Sequence, residues 1–169
     1  MAAGPTYYPI ATNTLSSTAS SYTFSDIPQT YNNLVLVMNV VPNGTGGGTF
    51  ILNNDTSSVY SYTALAGLAT TGTPVSYRGS NQTSGGWLSS GAALTNSSNL
   101  HLDVFHFMNY SSTSTYKTVI HREDPSQFGY IGAWVNLYRS TSPITSITMQ
   151  LTSSFGIGTT FTLYGIKAA

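Results

Sequence analysis

Two histidines and an aspartate stand close together in the segment HLDVFHF, and these residue types can bind metal ions. His101 and Asp103 are two residues apart, and His106 follows three residues after the aspartate. In a β-strand, residues two apart share one face, so His101 and Asp103 could share a metal or a hydrogen bond while His106 points to the opposite face. A zinc site needs at least three protein ligands. We therefore predict no metal site, but a polar pair on the less apolar face, with His106 in or near the core.

The densest cluster of charge is the segment HREDPSQ, which contains His121, Arg122, Glu123 and Asp124. Adjacent Glu and Asp are residue types used for acid–base work. Neighbours in a strand or turn point apart, however, whereas general acid–base catalysis needs both groups to converge on one bond. A surface loop ending at Pro125 explains the segment better. Because charge is scarce elsewhere, the four charged or titratable residues are the best candidates for a polar contact with a partner.

Other catalytic signatures are missing from the sequence. No G-x-S-x-G nucleophile elbow occurs, and the glycine-rich run GTGGG at residues 44–48 lacks the Lys and Ser/Thr of a phosphate-binding loop. We predict that this run is a turn. The sequence predicts a protein that is not an enzyme and has no catalytic, cofactor-binding or metal-binding residues.

Tyrosine is the commonest aromatic residue, with 12 copies. It is enriched in binding surfaces because it contributes rigid area and one hydrogen bond at a low entropic cost. Tyr7, Tyr8 and Trp87 lie in polar sequence contexts and join the candidates for partner contact. A surface of Tyr, Ser, Thr and Asn suits two tasks, holding protein neighbours or stacking on sugars, since both avoid the burial of unpaired ions.

The chain is nearly without ions. Charged residues make up 6% of its 169 residues, against about 25% in an ordinary globular protein, and five basic residues balance five acidic ones. The few Lys and Arg residues argue against a nucleic-acid partner, and no apolar run approaches the roughly 20 residues that span a membrane. There is no cysteine, and the first residues predict no signal peptide. A protein with so little net charge tends to associate, so we expect a subunit packed among other subunits.

Short segments that alternate apolar and polar residues recur along the chain, separated by Gly, Asn, Pro and Ser/Thr clusters. Without a long amphipathic helix, this pattern predicts an all-β fold, an antiparallel β-sandwich or jelly roll. We expect one domain over residues 16–169, with residues 1–15 as an extended arm or first strand. Asn33–Val41 is typical of a central strand, whereas Ala66–Ser98 predicts long loops with short edge strands. Thr160–Ala169 predicts a closing strand near the sheet centre or beside the first strand.

Four segments resemble those of a known group of proteins. They are SSTASSYTFSDIPQTYNNLVLV (Ser16–Val37), NNDTSSVYSY (Asn53–Tyr62), PITSITMQL (Pro143–Leu151) and TFTLYGIKAA (Thr160–Ala169). They look like segments of small structural proteins of tailed bacteriophages, notably phages of cyanobacteria and other aquatic bacteria. The similarity runs from about Leu15 to the last residue. It implies a β-sandwich and a place in the virion, and it supplies no catalytic residue.

The resembling proteins occur as free-standing virion proteins and as terminal domains of tail fibres. A chain of this size, with no fibre shaft in the sequence, favours a capsid cement or decoration protein. Such a protein would lie on the outer capsid surface, assemble in the host bacterial cytoplasm, form a homotrimer and bind the major capsid protein. The alternative is a tail-fibre or host-glycan-binding module that stacks sugars near Trp87 or Trp134. A polysaccharide hydrolase is a third reading and would need two carboxylates at a fixed separation.

Overall fold

Alternation of apolar and polar residues organises the chain into strands, as the sequence predicts. The computed structural model describes residues 6–68, 73–88, 100–125 and 130–167, and these contain thirteen strands and no helix. The strands are β1 (Tyr7–Thr14), β2 (Ala19–Phe24), β3 (Asn33–Val40), β4 (Pro42–Asn43), β5 (Gly48–Leu52), β6 (Tyr60–Leu68), β7 (Val75–Gln82), β8 (Gly85–Leu88), β9 (His101–Met108), β10 (Lys117–Pro125), β11 (Tyr130–Tyr138), β12 (Ile147–Phe155) and β13 (Thr160–Ile166). Within the described ranges, no helix could therefore cross a membrane.

The strands form two antiparallel sheets. The eight-stranded sheet has the order β1-β13-β3-β9-β10-β11-β6-β7. The five-stranded sheet comprises β2-β12-β5-β8, with the short β4 also paired to β12. The predicted all-β class and antiparallel β-sandwich are confirmed. Asn33–Val40 is an interior strand, between β13 and β9, in agreement with its apolar faces.

The core lies between the sheets and is rich in aromatic rings. Phe105 and Phe107 of β9 face Phe50 of β5, with ring centroids 6.3 and 6.1 Å apart and nearly perpendicular planes. Edge-to-face contacts of this kind match the electrostatics of the rings. All three side chains are fully buried, and each such burial contributes about 1.5–3 kcal/mol to folding.

Both end segments of the described chain lie in the eight-stranded sheet. The residues of β1 pair with β13 from Tyr7 opposite Ile166 to Thr14 opposite Thr160. The segment predicted as either an arm or a first strand is thus a strand from Tyr7 onward, and residues 1–5 lie outside the described part. The prediction that the last segment pairs beside the first strand is confirmed.

The middle of the chain supplies one edge of each sheet. Strand β7 is the last strand of the larger sheet, and β8 is the last strand of the smaller one. The predicted edge strands are therefore present, although Val75–Gln82 has eight residues and is not short. Residues 69–72 and 89–98 of the predicted loop segment lie outside the described residues, as does residue 99.

A side-chain amide joins the two sheets. Asn136 of β11 accepts a hydrogen bond from the Gly86 N–H at 2.9 Å and donates one to the Gly86 carbonyl at 3.0 Å. The amide thereby satisfies both backbone groups of a β8 residue that the opposite sheet covers, and Asn136 is itself buried. Buried backbone groups need such partners because their desolvation is otherwise uncompensated.

Replacing Asn136 with alanine should destabilise the fold. The substitution leaves the N–H and the carbonyl of Gly86 buried without partners, at a cost of about 2–4 kcal/mol. Urea unfolding of Asn136→Ala measures the loss. The matched control is Asn39→Ala, which removes only an exposed amide contact to Thr160 and should change stability by less than about 0.5 kcal/mol. Equal stability of the two variants would contradict the role of Asn136.

Candidate functional site

The polar residues of β9 lie on the face opposite to the one expected. His101 and Asp103 share a face and His106 lies on the other, as the spacing predicts. His101 and Asp103, however, are buried, and His106 is on the outer side. The prediction of a core His106 is wrong, because Phe105 and Phe107 face the second sheet and have the same parity as His101 and Asp103. No group of three or more potential metal-binding side chains occurs among the residues that the structure describes.

The HREDPSQ segment begins in a strand, so the prediction of a surface loop ending at Pro125 is wrong. Strand β10 runs from Lys117 to Pro125 and pairs on both sides, with β9 and with β11. His121 and Glu123 point into the sandwich and are buried, while Arg122 is exposed on the outer side. For Asp124, only the backbone is described, opposite Leu102. Of the four predicted contact residues, two are therefore absent from the surface of this chain.

His121 and Asp103 form a buried hydrogen-bonded pair. The His121 Nε2 and Asp103 Oδ1 atoms are 3.0 Å apart. The imidazole stacks on Phe105, with ring centroids 4.0 Å apart, and lies edge-on to Trp87 at 6.1 Å. The ring is thus enclosed by aromatic surfaces, and Asp103 provides its polar contact.

Glu123 occupies the next inward position on β10, opposite Asp103 on one side and Gly132 on the other. Its Oε1 accepts a hydrogen bond from the Trp134 indole N–H at 3.1 Å. A Cβ at position 132 would collide with the Glu123 carboxylate, so glycine is required for this side chain to cross β11. We refer to Asp103, His121, Glu123 and Trp134 as the buried polar cluster.

Burial controls the charge of the cluster. Desolvation lowers the pKa of His121 to about 3, and the nearby Glu123 opposes the shift only in part. The imidazole is therefore neutral at pH 7, and its Nε2–H donates to the Asp103 carboxylate. Because Asp103, His121 and Glu123 are buried, these three side chains do not contact a solute in this arrangement. The hydrogen bonds of the cluster link β9 to β10 and β10 to β11, and so hold the three strands in one register.

Backbone carbonyls hold the buried ammonium group of Lys117. The Lys117 Nζ donates to Ser112 O and Thr115 O at 2.8 Å each, and to Ser140 O at 3.3 Å. These three acceptors use all the donors of an ammonium group. Burial lowers the pKa of Lys117. Lys117 therefore links the loop before β10 to the loop after β11.

The three predicted aromatic contact residues differ in position. Trp87 is buried, and its indole N–H donates to the Thr49 carbonyl at 2.9 Å, so it belongs to the core. Tyr7 is exposed and meets Tyr164 edge-on. Tyr8 is half-buried beneath the Lys167 ammonium, 5.9 Å from the ring centroid. The two tyrosines of β1 therefore remain candidates for a partner contact, while Trp87 does not reach the surface.

The larger sheet has an exposed apolar face. We call the side chains of β6, β11, β10 and β9 that point away from the smaller sheet the outer face. Leu65 and Ile131 are 63% and 67% exposed there. One cross-strand row comprises Leu65, Ala133, Arg122 and Val104, and the next comprises Thr63, Val135, Ile120 and His106. Adjacent strands are about 4.8 Å apart, so these side chains form one contiguous surface.

The outer face also contains shallow hollows. One of about 460 Å³ lies between Leu102, Val104, Arg122 and Ile131. A second, of about 280 Å³, lies between Leu65, Pro74 and Ile131. The sequence signal was the apolar alternation of Leu100, Leu102 and Val104, which marked one side of β9. That this side continues across four strands is shown only by the structure, in which β9 pairs with β10, β10 with β11, and β11 with β6.

Ions are scarcer on the surface than the composition indicates. Three of the ten charged residues, Asp103, Lys117 and Glu123, are buried. The exposed charged side chains of the described residues are Asp26, Arg78, Arg122 and Lys167. Arg122 lies within the outer face, between Ala133 and Val104. The apolar surface therefore has a cation at its centre.

The buried imidazole should give the protein a characteristic acid sensitivity. Unfolded His121 binds a proton below pH 6.5, whereas folded His121 stays neutral down to about pH 3. The unfolded state thus binds more protons, and the free energy of unfolding falls as the pH drops from 6.5 towards 3, by up to about 1.4 kcal/mol per pH unit.

Urea unfolding of the wild type and of His121→Gln between pH 7 and pH 3.5 measures this contribution. The variant keeps a donor for Asp103 and should lack the His121 component of the slope. All other titratable groups are common to both proteins. Identical slopes would mean that His121 is protonated in the folded state.

Comparison of the chain with protein-family models, with curated proteins and with solved structures found no match in any of the three. No relative therefore supplies a function or a set of site residues. The outer face, the two tyrosines of β1 and the surface clefts are the features from which a function can be argued.

Proposed function

We propose that the chain is a structural subunit of a virus particle, a cement protein that binds the outer surface of a tailed-phage capsid and bridges its shell subunits. The observation that carries the proposal is the exposed apolar outer face. The phage assignment is supported by the resemblance of four sequence segments to small phage structural proteins. Binding to a neighbour, rather than catalysis, is the role that these features favour.

An apolar surface of this kind is typical of an interface. Burying it would contribute about 25 cal/mol for each Å² of apolar surface removed from water. Contiguous exposed apolar patches on soluble proteins mark interaction sites. The outer face is also built on hydrogen-bonded strands, so little conformational entropy is lost when it docks.

The shortage of surface ions supports the same role. Interface cores are depleted of charge because burying an unpaired ion is costly. Arginine is the exception, being enriched in interfaces for its planar, multiply donating guanidinium group. Arg122, at the centre of the outer face, would pair with a carboxylate or backbone carbonyls of the shell subunit.

Many copies acting together relax the affinity that each copy needs. A trimer that engages several shell subunits gains through effective concentration, without any new contact. Each outer face then has to contribute only a modest affinity. A homotrimer bound to the major capsid protein is therefore compatible with an interface of limited area.

The outer face can be tested with matched serine substitutions. The double variant Leu65→Ser/Ile131→Ser removes the two most exposed apolar side chains of the outer face. We expect its affinity for capsids lacking the protein to fall by about tenfold or more, because each lost apolar contact is worth about 1 kcal/mol. Co-sedimentation of the purified protein with capsids measures the affinity, and the heating temperature that releases the genome measures the cementing effect.

Ile157→Ser is the control. Ile157 is 63% exposed, as Leu65 is, but lies in the turn between β12 and β13. This variant should bind as the wild type does. Equal binding by the double variant would exclude the outer face as the docking surface. Immunogold label at the tail tip, or absence of the protein from purified particles, would overturn the cement function itself.

A further inference from the structure

A cleft of about 310 Å³ lies beside the edge strands β7 and β8, on the inner side of the larger sheet. Tyr62, Tyr77 and Trp134 line one wall. Thr49 and Thr152 of the smaller sheet line the other wall. The aromatic residues point to the side opposite Leu65 and Ala133, so the cleft is separate from the outer face. The inference drawn from it does not depend on the proposed function.

The aromatic wall is held in place before any ligand arrives. The rings of Tyr77 and Trp134 are nearly parallel, with an interplanar angle of 5° and centroids 6.2 Å apart. Tyr62 lies against the same indole at 5.4 Å. The hydrogen bond from Trp134 to Glu123 locks the indole orientation. A preorganised wall reduces the entropy lost on binding.

The opposite wall is open because glycines build part of it. Gly47, Gly48 and Gly86 contribute backbone without side chains. A Cβ on Gly86 would lie 3.0 Å from the Trp134 ring and 3.3 Å from the Tyr62 ring. Glycine at this position therefore lets the smaller sheet approach the aromatic rings.

The polar groups of the cleft are uncharged and have hydrogen-bonding capacity to spare. In the described part of the chain, the hydroxyl groups of Tyr62 and Tyr77 make no hydrogen bond. Gln82 uses its amide N–H₂ on the Ser80 carbonyl at 2.8 Å, which leaves its amide oxygen as an acceptor. Ser84 adds a hydroxyl, and none of the described lining residues is charged.

We propose that this cleft binds a neutral carbohydrate. The C–H faces of a pyranose ring are apolar and pack on aromatic rings, while its hydroxyl groups both donate and accept hydrogen bonds, as do the Tyr, Gln and Ser groups here. An anionic ligand would need a cation that the described lining does not supply. The volume is at the small end of the range for ligand sites, about 300–1,000 Å³, which suits one or two sugar residues.

Titration with defined sugars tests the proposal. Glucose, galactose, N-acetylglucosamine and their short oligomers are added to the whole protein, with sialyllactose as the anionic comparator. Binding is followed by intrinsic tryptophan fluorescence and by ligand-observed NMR. We expect at least one neutral sugar to bind, and Tyr77→Ala to weaken it by about tenfold. Tyr116→Ala, at a tyrosine that is 53% exposed outside the cleft, should leave the affinity unchanged.

A second variant guards against misfolding, because Tyr77 also packs on Trp134. Ser84→Phe places a ring at the cleft without removing a core contact and should abolish binding while the unfolding midpoint stays the same. The proposal is overturned if no neutral sugar binds, if sialyllactose binds as tightly as the neutral sugars, or if both cleft variants bind as the wild type does.

Discussion

The unequal width of the two sheets is the constraint on which the rest of the structure depends. The larger sheet is eight strands wide and the smaller one four, since the short β4 lies beside β12 on the same side as β5, so the smaller sheet is narrower by about four strand spacings of 4.8 Å. Its edge strand β8 lies against β10, β11 and β6. Beyond β8, the described part of the smaller sheet has no further strand to cover the inner side of the larger sheet. The cleft with Tyr62, Tyr77 and Trp134 is found at this boundary.

The buried polar cluster lies close to the same boundary. Polar groups inside a sandwich are costly unless each finds a partner. The hydrogen bonds of Asp103 with His121 and of Glu123 with Trp134 form only in one register, since a shift by one residue would turn each side chain to the outer face. The cluster therefore specifies how β9, β10 and β11 align, and the row of side chains on the outer face follows from that alignment. One set of buried contacts orders the surfaces on both sides of the sheet.

The fold could be predicted from the sequence because alternation is a local signal. Asn33–Val40 and the closing strand were recognised from their own residues. The HREDPSQ segment was misread because dense charge usually marks a surface, whereas the parity of Val119 with His121 and Glu123 places these residues on the core side. Trp87 was misread in the same way from its polar neighbours. The cleft could not be predicted, since its walls come from six strands whose proximity depends on the sheet topology.

The pairing of β1 with β13 has a mechanical consequence. Tyr7 and Ile166 are directly opposite each other, so a force that draws the two ends of the chain apart acts on the last rung of this ladder first. The hydrogen bonds would then open one after another, as in a zipper, rather than resist together as in a sheared pair of strands. The pairing of β1 with β13 is consequently poorly suited to transmitting tension along the backbone.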